Sequence, residues 1–164
     1  MKAIFITIKD ILPNGKIPRT TAQGKRQNRR TGRYYDSPEI AKARDMFMKA
    51  FVLARMAEKI TEPYEGPVQL SVDFEYKARR KKDINTPKLT RPDCDNHVKL
   101  LQDCMTKAKI IKDDNQIFSL LVTKTWRAEE RIVIKVFFGG AANYNGHCIA
   151  PERKDEDMWE DEEK

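Results

Sequence analysis

Alternating and helically spaced hydrophobic residues predict six secondary-structure elements along this chain. Residues 3–8 are rich in β-branched and aromatic side chains, and residues 68–77 alternate strictly between apolar and polar, so both segments predict strands. Residues 117–126 and 131–138 predict two further strands, joined by a short connection at 128–130.

Two stretches with helical periodicity separate these strands. Asp36 or Ser37 can cap the first helix, with Pro38 at its first position, and the pattern continues to about residue 60. Its predicted apolar face consists of Ile40, Ala43, Phe47, Ala50, Phe51, Ala54 and Met56. The second helix is predicted from about residue 95 to 109. Its apolar positions are Val98, Leu100, Leu101, Cys104, Met105 and Ala108.

The order of these elements, β-α-β-α-β-β, predicts a single-domain α/β protein of the mixed α+β type. We expect a mixed sheet that carries two main helices. A chain of 164 residues is long enough to bury one modest core. We place the folded domain at residues 1–138 and a C-terminal extension at residues 139–164, with an acidic end that we expect to be disordered.

Composition narrows the possible environments of the chain. Charged residues make up 35% of the sequence, and no run of eighteen apolar residues occurs, so we expect no membrane segment. The first residues alternate too strongly for a signal peptide, and we expect a cytoplasmic protein that is not secreted. Three cysteines, an odd number, favour free thiols over a disulfide framework.

Positive charge is concentrated in the body of the chain. The net charge is +7, but residues 151–164 hold eight acidic and three basic residues, so residues 1–150 carry +12. Such a body favours a polyanionic partner, with nucleic acid as the first candidate and a merely solvated surface as the alternative. Two basic loops supply the predicted phosphate contacts. These residues are Lys16, Arg19, Lys25, Arg26, Arg29 and Arg30 in the first loop, and Arg79, Arg80, Lys81, Lys82 and Arg91 in the second.

Aspartates flank the second predicted helix. Asp93 and Asp95 stand at its start after Pro92, and Asp113 and Asp114 follow its end in a turn. Clustered carboxylate oxygens suit Mg²⁺, which keeps open positions for water and phosphate and can support attack of water on a phosphodiester. The simpler interpretation is a capped helix followed by an aspartate-rich turn.

Cysteine and histidine residues near the same helix suggest a competing zinc site. Cys94 and His97 have a ligand-like spacing, and His147 and Cys148 lie further along the chain. Cys104, however, falls on the apolar face of the helix, and no second paired motif follows. We therefore disfavour structural zinc, and we also disfavour His97 as a general base.

The motif around these aspartates resembles the RusA family of Holliday junction resolvases. It reads Asp-x-Asp-Asn-x-x-Lys from Asp93 to Lys99, then Lys-Asp-Asp-x-Gln-Ile, with Lys124 ten residues beyond Asp114. The resemblance covers roughly residues 3–138, and the core motif is its specific part.

This resemblance implies a Mg²⁺-dependent endodeoxyribonuclease, with Mn²⁺ able to substitute. Such a protein acts as a homodimer that binds four-way DNA junctions and nicks opposing strands symmetrically in recombination and repair. It implies Asp93, Asp95, Asp113 and Asp114 as metal ligands. It further implies that Lys99 stabilises charge on the phosphate and that Lys124 joins the DNA-binding set. The helical spacing of Asp95, Lys99 and Asp103 indicates that Asp103 orients Lys99 rather than binds metal. A bacterial or phage origin fits the family, and no small-molecule substrate is expected.

Two alternatives remain open at this point. The first is a non-catalytic basic nucleic-acid-binding protein, in which the aspartates are caps and turn residues. The second keeps the nuclease chemistry but acts on flaps, replication forks or D-loops.

Overall fold

The structure is a computed structural model that describes residues 2–18, 25–27, 29–32 and 34–139. For residues 25–27 and 34–36 and for His97, only the backbone is described. The strands and helices, in chain order, are β1 (Lys2–Ile8), β2 (Lys25–Gln27), β3 (Tyr34–Asp36), α1 (Pro38–Ala57), β4 (Val68–Lys77), α2 (Cys94–Lys107), β5 (Ile117–Arg127) and β6 (Arg131–Phe138). The predicted mixed α+β fold and the order of its six main elements are confirmed. The predicted C-terminal extension lies almost wholly outside the described residues.

Four strands form one mixed sheet in the order β1-β6-β4-β5. β6 pairs antiparallel with both β1 and β4, whereas β4 and β5 pair in parallel. Parallel neighbours cannot be joined by a tight turn, so the chain must return along the sheet between them. Helix α2 makes that return and packs on β5 and on α1.

One face of the sheet forms the core with the two helices. The alternation predicted for β4 places Leu70, Val72 and Phe74 on this face, and all three are fully buried. Ile134 of β6 pairs in register with Val72 and with Ile6 of β1, so the same face is apolar across these three strands. Phe47 and Phe51 of α1 are buried in the same core.

The opposite face of β4 is polar but also largely enclosed. Glu75 is only 1% exposed and pairs with Arg131, with Arg127 Nε 3.8 Å from its carboxylate. Asp73 accepts a hydrogen bond from Thr123 and lies 3.7 Å from Lys135 Nζ. Opposite charges on neighbouring strands therefore face one another across this side of the sheet.

Helix α1 begins where the sequence predicts it and ends three residues earlier. Ser37 is its N-cap and accepts a hydrogen bond from the Ile40 amide, and Pro38 is the first helical residue. The predicted core position Met56 is wrong, because this side chain is 71% exposed. Met56 stands nine residues after Phe47, which places it about 180° around the helix from the buried face.

The first basic loop is more regular than the sequence predicts. The glycines and prolines between residues 13 and 33 predict a loop without regular structure, but β2 pairs antiparallel with β3, with Arg26 opposite Tyr35. Lysine, arginine and glutamine have low strand propensity, so the sequence carries little signal for β2. Within the described residues, no helix is long and apolar enough to span a bilayer.

The division of α1 into buried and exposed residues gives a direct test of the fold. Phe51→Ala should lower the free energy of unfolding by about 3–5 kcal/mol, because it removes a fully buried ring from the core. Met56→Ala on the same helix should change it by less than about 0.5 kcal/mol. Urea denaturation followed by circular dichroism measures both, and equal losses would contradict the assigned orientation of α1.

Candidate active site

The segment that leads into α2 is attached to the free edge of β5. The Asn85 amide donates to the Trp126 carbonyl at 2.8 Å, and the Trp126 amide donates to the Thr86 carbonyl at 2.9 Å. The Lys88 amide then donates to the Lys124 carbonyl at 2.9 Å. Residues 85–88 therefore run antiparallel along the C-terminal half of β5 before the chain turns into the helix.

The side chain of Lys124 in β5 stabilises the turn that leads into α2. Its Nζ donates to the Pro92 carbonyl at 2.6 Å and to the Thr90 carbonyl at 3.1 Å. The sequence predicted Lys124 as a DNA contact. In the structure its ammonium group holds the residues immediately before Asp93, and a DNA contact remains a prediction.

Asp93 and Asp95 stand at the exposed start of α2. Asp93 is the N-cap residue with extended backbone angles, yet its side chain makes no capping hydrogen bond. Asp95 lies in the first turn, and both side chains are exposed. The positive end of the helix dipole favours negative charge here, so two carboxylates can share this site.

Lys99 and Asp103 follow Asp95 at helical spacing. Lys99 is exposed and Asp103 is half-buried. Side chains four residues apart can meet on a helix. Nevertheless, among the ion pairs of the described residues, none joins Lys99 to Asp95 or to Asp103. The predicted orienting role of Asp103 thus has no contact that supports it.

The second carboxylate pair is organised by a capping box. Asp113 accepts a hydrogen bond from the Asn115 amide at 2.9 Å, and its own amide donates to Gln116 Oε1 at 2.8 Å. Gln116 Nε2 in turn donates to the Gly66 carbonyl at 2.8 Å. One oxygen of Asp113 is therefore engaged in capping, whereas Asp114 is exposed in the short 3-10 turn Asp114–Gln116.

The two carboxylate pairs lie at opposite ends of α2. The fourteen residues of the helix span about 21 Å at 1.5 Å per residue. The sheet agrees: Lys124, which contacts Pro92, stands seven residues beyond Ile117 in β5, or about 23 Å along the strand. Among the described residues, no three His, Cys, Asp or Glu side chains are grouped so as to hold a metal ion. A single chain therefore does not bring Asp93 and Asp95 together with Asp113 and Asp114.

Most of the predicted DNA-binding side chains that the structure describes are exposed. These are Lys16, Arg29, Arg30, Arg79, Arg80, Lys81, Lys82 and Arg91. Arg80 makes a two-point contact with Asp83, at 2.8 Å and 3.1 Å, and this hydrogen bond raises the pKa of the guanidinium. Arg19 and the side chains of Lys25 and Arg26 lie outside the described residues.

The burial of Lys88, a lysine of the second basic loop, differs from what the sequence predicts. Lys88 belongs to a loop rich in basic residues, yet it is only 6% exposed and lies between the rings of Tyr76 and Trp126. A lysine in a basic run predicts a solvated side chain, and only the aromatic residues that end both strands hinted at an apolar enclosure.

The cysteines do not form a metal centre in the described part of the chain. Cys104 is fully buried in the core, and burial raises the pKa of its thiol to about 11. Cys94 is half-buried at the start of α2. The side chain of His97 and the residues His147 and Cys148, which would complete the competing zinc site, lie outside the described residues.

Comparison with known proteins identifies the family. The family model described as Endodeoxyribonuclease RusA matches residues 17–137. The chain therefore belongs to the RusA endodeoxyribonuclease family. A relative from Lactococcus phage r1t, named crossover junction endodeoxyribonuclease RusA, is 43% identical over 83 residues, which are 49% of this chain. The match spans 63% of the length of that relative.

The two thiols of α2 should react very differently. At about pH 8.5, iodoacetamide should label Cys94 and leave Cys104 unmodified, because burial and a raised pKa keep the Cys104 thiol protonated and inaccessible. Peptide mass spectrometry after digestion measures both sites. Labelling in urea, which should modify both residues, is the control, and equal labelling of the native protein would contradict the packing of Cys104.

Proposed function

We propose that this chain is a metal-dependent endodeoxyribonuclease that resolves four-way DNA junctions by paired symmetric nicks. The observation that carries the proposal is the exposed pair Asp93 and Asp95, which a basic loop and Lys124 present at the start of α2 in a member of the RusA family. The name of the phage relative, crossover junction endodeoxyribonuclease, supports the same substrate.

The donor set fits a hard divalent cation. Asp93, Asp95 and Asp114 would hold Mg²⁺, and the second oxygen of Asp113 would be a fourth donor, with Mn²⁺ able to substitute. Carboxylate oxygens of this kind suit both ions, whereas a zinc site would call for nitrogen or sulfur ligands. When bound, the cation activates water and neutralises charge on the scissile phosphate.

We further propose that each active site is shared between two copies of the chain. The position of the two carboxylate pairs at opposite ends of α2, a helix about 21 Å long, supports this arrangement, because no side chain can span that length. In a two-fold dimer, Asp93 and Asp95 of one copy would face Asp113 and Asp114 of the other. The symmetry then creates two equivalent sites, one for each strand that is cut.

The cations of each chain have separate roles in this proposal. Lys99, exposed one turn after Asp95, stabilises the charge that builds up on the phosphate or the leaving oxygen. The basic loops bind the DNA arms through phosphate contacts, so that binding should weaken steeply with salt. These contacts also offset the repulsion between DNA and the clustered aspartates.

A labelled four-way junction tests the proposed activity. With Mg²⁺ or Mn²⁺, the protein should introduce paired nicks at symmetric positions, and it should leave a linear duplex of the same sequence intact. Denaturing electrophoresis of each labelled strand maps the cuts. Cutting of flaps or forks instead would mean that the protein is a nuclease with a different DNA substrate. Salt-sensitive binding without any cut would leave a non-catalytic DNA-binding protein and return the aspartates to the role of caps.

Mixing two inactive variants tests the shared site. Asp95→Asn and Asp114→Asn should each lose cleavage by at least about 100-fold while binding the junction, because each removes a ligand from both sites. In a mixed dimer, one site carries both defects and the other carries none. Co-expressed variants should therefore regain unpaired nicks, with about a quarter of the wild-type number of intact sites.

The matched control combines Asp93→Asn with Asp95→Asn. These residues belong to the same half of the proposed site, so their mixed dimers contain no intact site and should stay inactive. Failure of the Asp95 and Asp114 variants to complement each other would reject the shared site. The proposed nuclease activity would then still be tested separately by junction cleavage with the wild-type protein.

A further inference from the structure

We propose that Lys88 is a positioning residue that sets the placement of Asp93 and Asp95, an inference that rests on the proposed nuclease function. Lys88 stands five residues before Asp93, and its side chain is enclosed. It acts through the backbone of the intervening segment and does not itself contact the carboxylates.

The ammonium group of Lys88 donates hydrogen bonds only to residues 90 and 91 among its described hydrogen-bond partners. Its Nζ donates to Thr90 Oγ1 at 2.8 Å, to the Thr90 carbonyl at 2.9 Å and to the Arg91 carbonyl at 2.6 Å. An ammonium group has three protons, so these contacts account for all of its donors. No donor is left over for a phosphate, which separates Lys88 from the exposed cations around it.

Two aromatic side chains near the ends of β4 and β5 hold Lys88 in place. Its Nζ lies 4.6 Å from the centre of the Tyr76 ring and 5.2 Å from the centre of the Trp126 ring. Tyr76 and Trp126 are register partners in β4 and β5, and their rings pack edge to face. Cation–π contacts of this kind are strongest away from water. The lysine is therefore anchored to two strands, and the segment is anchored to the lysine.

Two lysines together bind three consecutive carbonyl groups. Lys88 takes those of Thr90 and Arg91, while Lys124 takes those of Thr90 and Pro92. Asp93 follows directly, so the direction in which the chain enters α2 is fixed by contacts to the sheet. An apolar residue at position 88 would fill the same space but would leave the Arg91 carbonyl and Thr90 Oγ1 without their ammonium donor, which is costly where these groups are partly buried.

A second enclosed lysine shows that burial alone does not give this role. Lys135 in β6 is 7% exposed, similar to Lys88, but it lies on the opposite face of the sheet and pairs with Asp73. None of its described contacts reaches the segment before Asp93. Lys135→Met therefore controls for the general effect of removing a buried ammonium group, including any loss of stability.

The test compares Lys88→Met with Lys135→Met in the full chain. In Lys88→Met, amide hydrogen exchange of residues 89–96 should accelerate by at least about tenfold, and the Mn²⁺ concentration that half-saturates binding and cleavage should rise by about 10–100-fold. Junction affinity measured without metal should stay unchanged. Lys135→Met should leave both the exchange of this segment and the metal dependence at wild-type values.

A milder variant keeps the proposal testable if Lys88→Met folds poorly. Thr90→Val changes an exposed position and removes only the Oγ1 acceptor, so it should shift exchange and metal dependence in the same direction by a smaller factor. Equal behaviour of the Lys88 and Lys135 variants, or an unchanged metal dependence in Lys88→Met, would overturn the positioning role. Failure of the wild-type protein itself to cut any DNA would instead overturn the proposed function.

Discussion

The parallel pairing of β4 with β5 is the constraint on which the rest of the molecule depends. Because parallel neighbours must be joined by a crossover, α2 has to run back along the sheet for nearly its whole length. The residues at the start and the end of that crossover are consequently held about 21 Å apart. A family motif that is compact in sequence is thus divided in space, with its two carboxylate pairs at opposite ends of α2.

Lysine has two unlike uses in this fold. The exposed basic residues around 79–82 and 91 suit long-range attraction to a polyanion, which depends on charge more than on fixed geometry. Lys88 and Lys124 instead act as hydrogen-bond donors at fixed distances from backbone carbonyls. Net charge counts both kinds equally, although only the first kind is exposed and able to contact a phosphate without breaking hydrogen bonds to the backbone.

Sequence reasoning predicted the six main elements but not the contacts between residues that are distant in sequence. The alternation of β4 and the Ser37–Pro38 start of α1 are local signals, and both predictions were confirmed. Met56 was assigned to the core by its hydrophobicity, although its angular position on α1 opposes that assignment. The burial of Lys88 depends on Tyr76 and Trp126, which are distant in sequence and become neighbours only through parallel pairing. No local pattern can encode that contact.

The second basic loop is attached to β5 at both ends, so its amino-acid composition can vary without changing where Asp93 and Asp95 lie. Its entrance is fixed where the Ala78 amide donates to the Arg127 carbonyl at 2.8 Å, and its exit is fixed by the contacts of residues 85–92 to β5. Residues 79–84 between these points form a loop whose described contacts, the short 3-10 helix Lys81–Asp83 and the Arg80–Asp83 pair, are local. Doubling the length of a loop costs about 0.6 kcal/mol. The length and sequence of this segment can therefore change without displacing the acidic residues at the start of α2.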